Sequence, residues 1–186
     1  ARDLDYWTKR ARDAGHEIVL ELPMEAHGGD PAMLGPAALL AERASADNIQ
    51  RLDWLLSRFG GYFAVTNYLG GKFSTDRAAM DPVLAHLAAA GVAYIDDTGA
   101  ARRNPAGPLA VVNRMIVAGA DGTDARAARR DLGALAQIAQ RGGEALGKTY
   151  AQPAALDALV EFVDELAEHG LLLAPASAVI EKRAAS

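Results

Sequence analysis

Glu21 and Glu25 bracket the run Glu21-Leu22-Pro23-Met24-Glu25, where an apolar stretch gives out. Ile18-Val19-Leu20 reads as a strand, so both carboxylates stand where a strand opens into a loop. Folds built on parallel strands place binding and chemistry at the C-terminal ends of those strands. Two carboxylates there fit a metal site, a general acid/base pair or a sugar-binding pair. They equally fit solvated loop charges, because the spacing E-x-x-x-E is not diagnostic by itself.

Other chemistry-bearing residues fall at the ends of other short apolar segments. Asn67 and Tyr68 follow the segment 62–66, Asp96 and Asp97 follow 92–95, and Lys148 and Tyr150 close 144–148. In a parallel sheet these ends share one side. Carboxylates, an amide, a lysine and phenols around one mouth suit a hydrated polyol such as a sugar, or a hard divalent ion with oxygen ligands. Plainer roles compete at each position. Asp96-Asp97 also ends a strand and starts a turn, and Asn67 also supplies turn geometry before Gly70-Gly71. Arg58 closes a helix, where it complements the macrodipole, and is kept as a substrate-binding candidate beside Asn67, Tyr68 and Lys148. Trp54 falls at helical spacing and reads as core. Of the histidines, His86 and His169 sit on helices and His16 enters a strand at the wrong end, which leaves His27 alone near the mouth and a Ser-His-Asp set without support.

The elements that must hold these residues alternate. The spacing predicts a helix over 3–14 ended by Gly15, a strand over 16–22, and a Gly- and Pro-rich loop over 23–37. A helix over 46–58 follows, N-capped by Ser45, then the strand 62–66. Ser74-Thr75-Asp76 caps a helix over 76–90 ended by Gly91, and the strand 92–95 leads to a loop over 98–108. A strand over 115–118, a helix opened by Thr123 or Asp124 and running to about 141, and a strand over 144–148 come next. Pro153 opens the last long helix, Gly170 ends it, 171–174 reads as a final strand, and the tail 181–186 reads as polar and frayed. This alternation implies right-handed crossovers and a parallel α/β sheet, either a distorted barrel or an open doubly wound sheet.

Composition narrows the function class. The 186 residues suit one domain over 1–180, and 51% apolar content argues against disorder. The net charge of −5 disfavours nucleic acid and anionic membranes as partners. Arg102, Arg103, Arg126, Arg129 and Arg130 fit a local anion site or solvated helix faces. There is no cysteine, which excludes disulfides, thiolate chemistry and Cys-based zinc sites. No apolar run is long enough to span a membrane. No G-x-G-x-x-G follows a strand and there is no P-loop. The chain opens inside the amphipathic pattern Leu4, Tyr6, Trp7, Ala11, without leader or initiator methionine, and reads as processed or truncated.

The segments AGHEIVLELPME (14–25), DNIQRLDWLLSRFGGYFAVTNYLGGKF (47–73), AAMDPVLAHLAAAGVAYIDD (78–97) and HGLLLAPASAV (169–179) resemble the divergent polysaccharide deacetylase family. That family is similar to the metal-dependent deacetylases of chitin and peptidoglycan. The resemblance implies a distorted (β/α) barrel whose first strand is absent from this chain. It implies a bacterial periplasmic or cell-envelope protein acting on a polysaccharide or oligosaccharide, nominally a hydrolase that removes acetyl groups with a metal-activated water. The implied cofactor is a divalent ion, zinc or another. The Gly15-His16-Glu17 strand leads to Glu21 and Glu25, which fall on the positions where the ordinary deacetylases hold their ion through histidines. Asp96-Asp97 matches the family's aspartate after a middle strand and Asn67-Tyr68-Leu69-Gly70 a loop after another. Tyr150 stands where a histidine is common, so the implied catalytic set is Asp96, Asp97 and Tyr150. A catalytically inactive protein binding glycan or a protein partner, and a metal-free Asp/Glu hydrolase, are the alternative readings.

Overall fold

A computed structural model describes residues 2–100 and 109–185 of the chain. Arg102, Arg103 and most of the expected loop over 98–108 lie outside the described residues. The chain divides into two compact units, residues 1–111 with 180–186, and residues 112–179.

The first unit opens with α1 (Arg2–Asp13), followed by β1 (Val19–Met24) and a 3-10 turn at Pro31–Leu34. Then come α2 (Ser45–Leu56), β2 (Ala64–Leu69), the short α3 (Gly71–Thr75), α4 (Arg77–Ala89), β3 (Ala93–Asp96) and β4 (Leu109–Val111). The sheet order is β1-β2-β3-β4, and each adjacent pair is parallel. The helix-and-strand alternation read from the sequence thus yields a mixed α/β fold with a parallel sheet.

Alternation along the strands decides which face is buried beneath helices. Leu22, Met24, Val65 and Tyr94 pack with Leu52 and Leu55 of α2 and with Met80, Val83, Leu84 and Leu87 of α4. Residues on the intervening positions, Ala64, Thr66, Ala93, Ile95 and Ala110, are small or β-branched, and all are buried. Helix boundaries follow local chemistry. The Asp76 carboxylate caps α4 by accepting from the N–H groups of Ala78 and Ala79. Asn48 is fully buried in α2 because it mimics a strand partner, accepting from Leu40 N–H and donating to Leu40 C=O.

The second unit contains β5 (Arg114–Ile116), α5 (Ala125–Gly142), β6 (Gly147–Thr149), α6 (Pro153–Glu165) and a 3-10 turn at Leu166–His169. β5 and β6 pair in parallel. Ile116, Ala118, Ala128, Leu132, Ala136, Ala155, Ala158 and Phe162 form its core. Four of the six α5 and α6 residues in this core are alanines, Ala128, Ala136, Ala155 and Ala158. Asp124, not Thr123, caps α5, its carboxylate accepting from Ala127 N–H. The last helix, α7 (Ala176–Ala184), begins in this unit and ends in the first, where Arg183 donates to Val111 C=O at 2.8 Å.

Several expectations are corrected. The strand expected over 16–22 runs instead from Val19 to Met24, straight through Pro23, and pairs along that whole length with β2. A proline is tolerated because β1 is the edge strand of this sheet and Pro23 turns its backbone away from β2, its C=O accepting from Leu39 N–H. β2 likewise extends to Leu69, so Asn67 and Tyr68 are strand residues, not loop residues. Residues 171–174 form no strand: Leu172 and Leu173 are exposed, and no ladder partner takes up the backbone. Ser45 is the first residue of α2 and its side chain makes no capping bond. Trp54 is half exposed instead of core, with the Arg58 guanidinium stacked 4.3 Å above its ring. Residues 181–184 are helical, so the tail is not frayed there.

Candidate functional site

The C-terminal ends of β2 and β3 meet through one buried amide. Asn67 is fully buried, and its Nδ2 donates to the Asp97 carboxylate and to Leu69 C=O. Its Oδ1 accepts from Asp97 N–H at 3.1 Å and from the Tyr94 hydroxyl at 3.3 Å. Parallel register makes this possible, since Thr66 pairs with Ile95 one residue earlier. Burial, followed by the charges of Asp96 and Asp97, pushes the Tyr94 phenol well above its ordinary pKa. It therefore stays a neutral donor to Asn67.

The two aspartates are not equivalent. Asp96 is fully buried and accepts from Thr98 N–H at 2.9 Å and Thr98 Oγ1 at 2.6 Å, the turn that the sequence offered as an alternative role. The Thr98 hydroxyl lies 3.1 Å from Ser74 Oγ, and Ser74 in turn donates to Gly70 C=O. Asp97 is half-buried, oriented by Asn67, and is the member of the pair open to solvent. Behind it the turn is tight. Leu69 has φ 59°, rare for a leucine, and Gly70 has φ 90°. A Cβ on Gly70 would sit 3.1 Å from Met24 Cβ, a tight contact added to a left-handed conformation that favours glycine.

Glu25 lies just past β1 and is almost fully buried. Its Oε1 accepts from Lys72 Nζ at 2.9 Å and its Oε2 from Ala41 N–H at 2.8 Å. The hydrogen bond from Lys72 is the main reason its carboxyl is held below the ordinary range. Its backbone is engaged too: Glu25 N–H donates to Leu39 C=O, and Glu25 C=O accepts from Lys72 N–H and Phe73 N–H. Glu21 sits inside β1 on its exposed positions, opposite Thr66. Extended chain separates its Cα from that of Glu25 by about 13 Å.

The remaining candidates are held by other elements. Tyr68 is exposed and, by strand alternation, points to the face opposite Asn67. Arg58 follows α2 and precedes β2, which puts it at the N-terminal end of the strand, away from Asn67; it is engaged with Trp54 C=O and Ser57 Oγ. In the second unit Lys148 lies in β6 opposite Met115, and Tyr150 follows that strand, half exposed. Sequence reading singled out neither Lys72, Tyr94 nor the Ser74–Thr98 pair. Asp-Asp-Thr carries an Asx-turn signal that points to Thr98, but no local pattern announces that Lys72 reaches back to Glu25.

The implied ion finds no fit among these side chains. Both Glu25 oxygens already accept hydrogen bonds, and no three histidine, aspartate or glutamate side chains converge as a ligand group among the described residues. What the strand ends present is an oriented carboxylate, Asp97, held by Asn67, chemistry suited to hydrogen-bonding a polyol.

No curated protein matches the chain. The crystal structure of an uncharacterized protein from Agrobacterium tumefaciens is similar, with a TM-score of 0.84 and 29% identity, over 94% of this chain and 72% of that one. The divergent polysaccharide deacetylase family model matches residues 1–180. With that match running over nearly its whole length, the chain belongs to the divergent polysaccharide deacetylase family.

Proposed function

We propose that this protein recognises an acetylated polysaccharide of the bacterial cell envelope at the C-terminal ends of β2 and β3. Family membership supports a carbohydrate-related role. The observation that carries the site is Asp97, half-buried and held by the Asn67 amide beside the Asp96–Thr98 turn. Asp97 accepts from sugar hydroxyl or acetamido N–H groups, and Asn67 fixes its direction. In this reading the strands belong to the distorted barrel of the family. The test is titration of N-acetylated glucosamine oligomers and their deacetylated counterparts by calorimetry. Asp97→Asn is expected to weaken binding of the acetylated oligomer about tenfold, near 1.4 kcal/mol. Equal affinity of native and Asp97→Asn protein for both oligomers would sink the proposal.

Hydrolytic deacetylation is the second reading, favoured by the activity of the family's catalytic relatives. There Asp97 takes the proton of the attacking water. Acetate release from the same oligomers measures it, with and without added divalent ions. Release by native protein that Asp97→Asn abolishes would establish it, and no release under either condition would leave recognition alone.

A further inference from the structure

Glu25 falls on a position where the resemblance expects a metal ligand, and the structure gives it a different cation. Lys72 Nζ lies 2.9 Å from Glu25 Oε1 and 3.0 Å from Glu42 Oε1. Glu25 is 9% exposed, whereas the Glu42 side chain is largely in solvent. A carboxylate as buried as Glu25 needs a positive partner or must give up its charge. A divalent ion and an ammonium compete for the same lone pairs, and the other Glu25 oxygen already accepts from Ala41 N–H.

The pairing is also carried by the backbone. The C=O of Glu25 accepts from the N–H groups of Lys72 and Phe73, so the residues that bear the two charges are fixed to each other independently of their side chains. Lys72 follows the Leu69-Gly70-Gly71 turn directly, and that turn begins where Asn67 donates to Leu69 C=O. The ammonium therefore sits on the segment that closes the strand-end site.

We propose that Lys72 is the built-in counter-cation of Glu25, and that Glu25 works here without a divalent ion. Lys72 is then a positioning residue: it fastens the start of α3 to the end of β1 and so holds the turn beside Asn67. The inference stands apart from the identity of the glycan.

The experiment uses the whole chain with ZnCl2 and MnCl2 alone, followed by native mass spectrometry and calorimetry, on native protein and on Glu25→Gln. Native and Glu25→Gln protein are expected to take up each ion alike. A stoichiometric ion whose Kd rises about tenfold or more in Glu25→Gln would overturn the proposal. Thermal melts of Lys72→Met and Lys72→Arg provide the second measurement. Lys72→Met is expected to lower Tm by about 4 °C or more, because it strands a buried carboxylate, while Lys72→Arg keeps most of the native value. A Lys72→Met protein that melts with the native protein overturns the counter-ion role. If Lys72→Met fails to fold, the ion titration and Lys72→Arg still decide the matter.

Discussion

Removing the fully buried Asn67 carboxamide would strip partners from Tyr94, Leu69 and Asp97 at once, and the Tyr94 hydroxyl among them is closed to water. Asn67→Ala is therefore expected to destabilise the protein by roughly 2–3 kcal/mol, since the orphaned groups bear their full desolvation cost. Urea unfolding checks this, and a change within 0.5 kcal/mol, about the size of a surface substitution, would contradict it. Glu25 makes a prediction about pH. Its folded pKa is lowered from the ordinary 4.5, chiefly by the hydrogen bond from Lys72. A depressed carboxylate contributes stability that is complete above its unfolded pKa and is lost as pH falls through the folded value. The stability gap between native protein and Glu25→Gln is expected to be widest near neutrality and to close as pH falls below the ordinary 4.5 and through the lowered folded value. A gap that widens in acid would reverse the assigned sign.

The turn after β2 is the element on which the site depends most directly. Gly70→Ala combines a left-handed backbone with a Cβ pressed against Met24, and is expected to cost about 1–2 kcal/mol or more. Comparing its urea midpoint with that of Gly29→Ala, a glycine outside the left-handed region with only Ala26 Cβ at 3.9 Å, isolates the effect. This turn also marks how far the sequence can be read. Asp76, Asp124 and Pro153 announce helix starts through local chemistry, and all three helices form there. That Asn67 and Asp97 stand on one side of a parallel sheet was legible from the apolar segments, whereas the pairing of β2 with β3 that brings them together was not. What was not legible depended on distant partners. Residues 171–174 have the composition of a strand and lack a ladder, while β4 has only three residues and exists by pairing with β3. Nothing local points from Lys72 to Glu25, which lies 47 positions away in the chain.

At the scale of the molecule, acidic side chains outnumber basic ones, 24 to 19. With a net charge of −5 the protein is expected to pass through immobilised heparin at physiological salt, and retention there would contradict the reading against polyanions. The main core lies between β1–β3 and helices α2 and α4, and Leu52→Ala within it is expected to cost roughly 2–5 kcal/mol by the cavity it leaves, read from urea melts. One connection made by α7 has a topological consequence. Since residues 180–186 belong with 1–111, the polypeptide enters the other unit after Val111 and leaves it before Ile180. The hydrogen bond from Arg183 to the Val111 carbonyl holds these exit and entry points together like the neck of a drawstring bag. The intervening stretch is thus an insertion with adjoining ends, the arrangement in which an inserted unit can lengthen, shorten or diverge at small entropic cost to its host. In evolutionary terms the residues around Asn67 and Asp97 and those around Lys148 and Tyr150 are free to change at different rates.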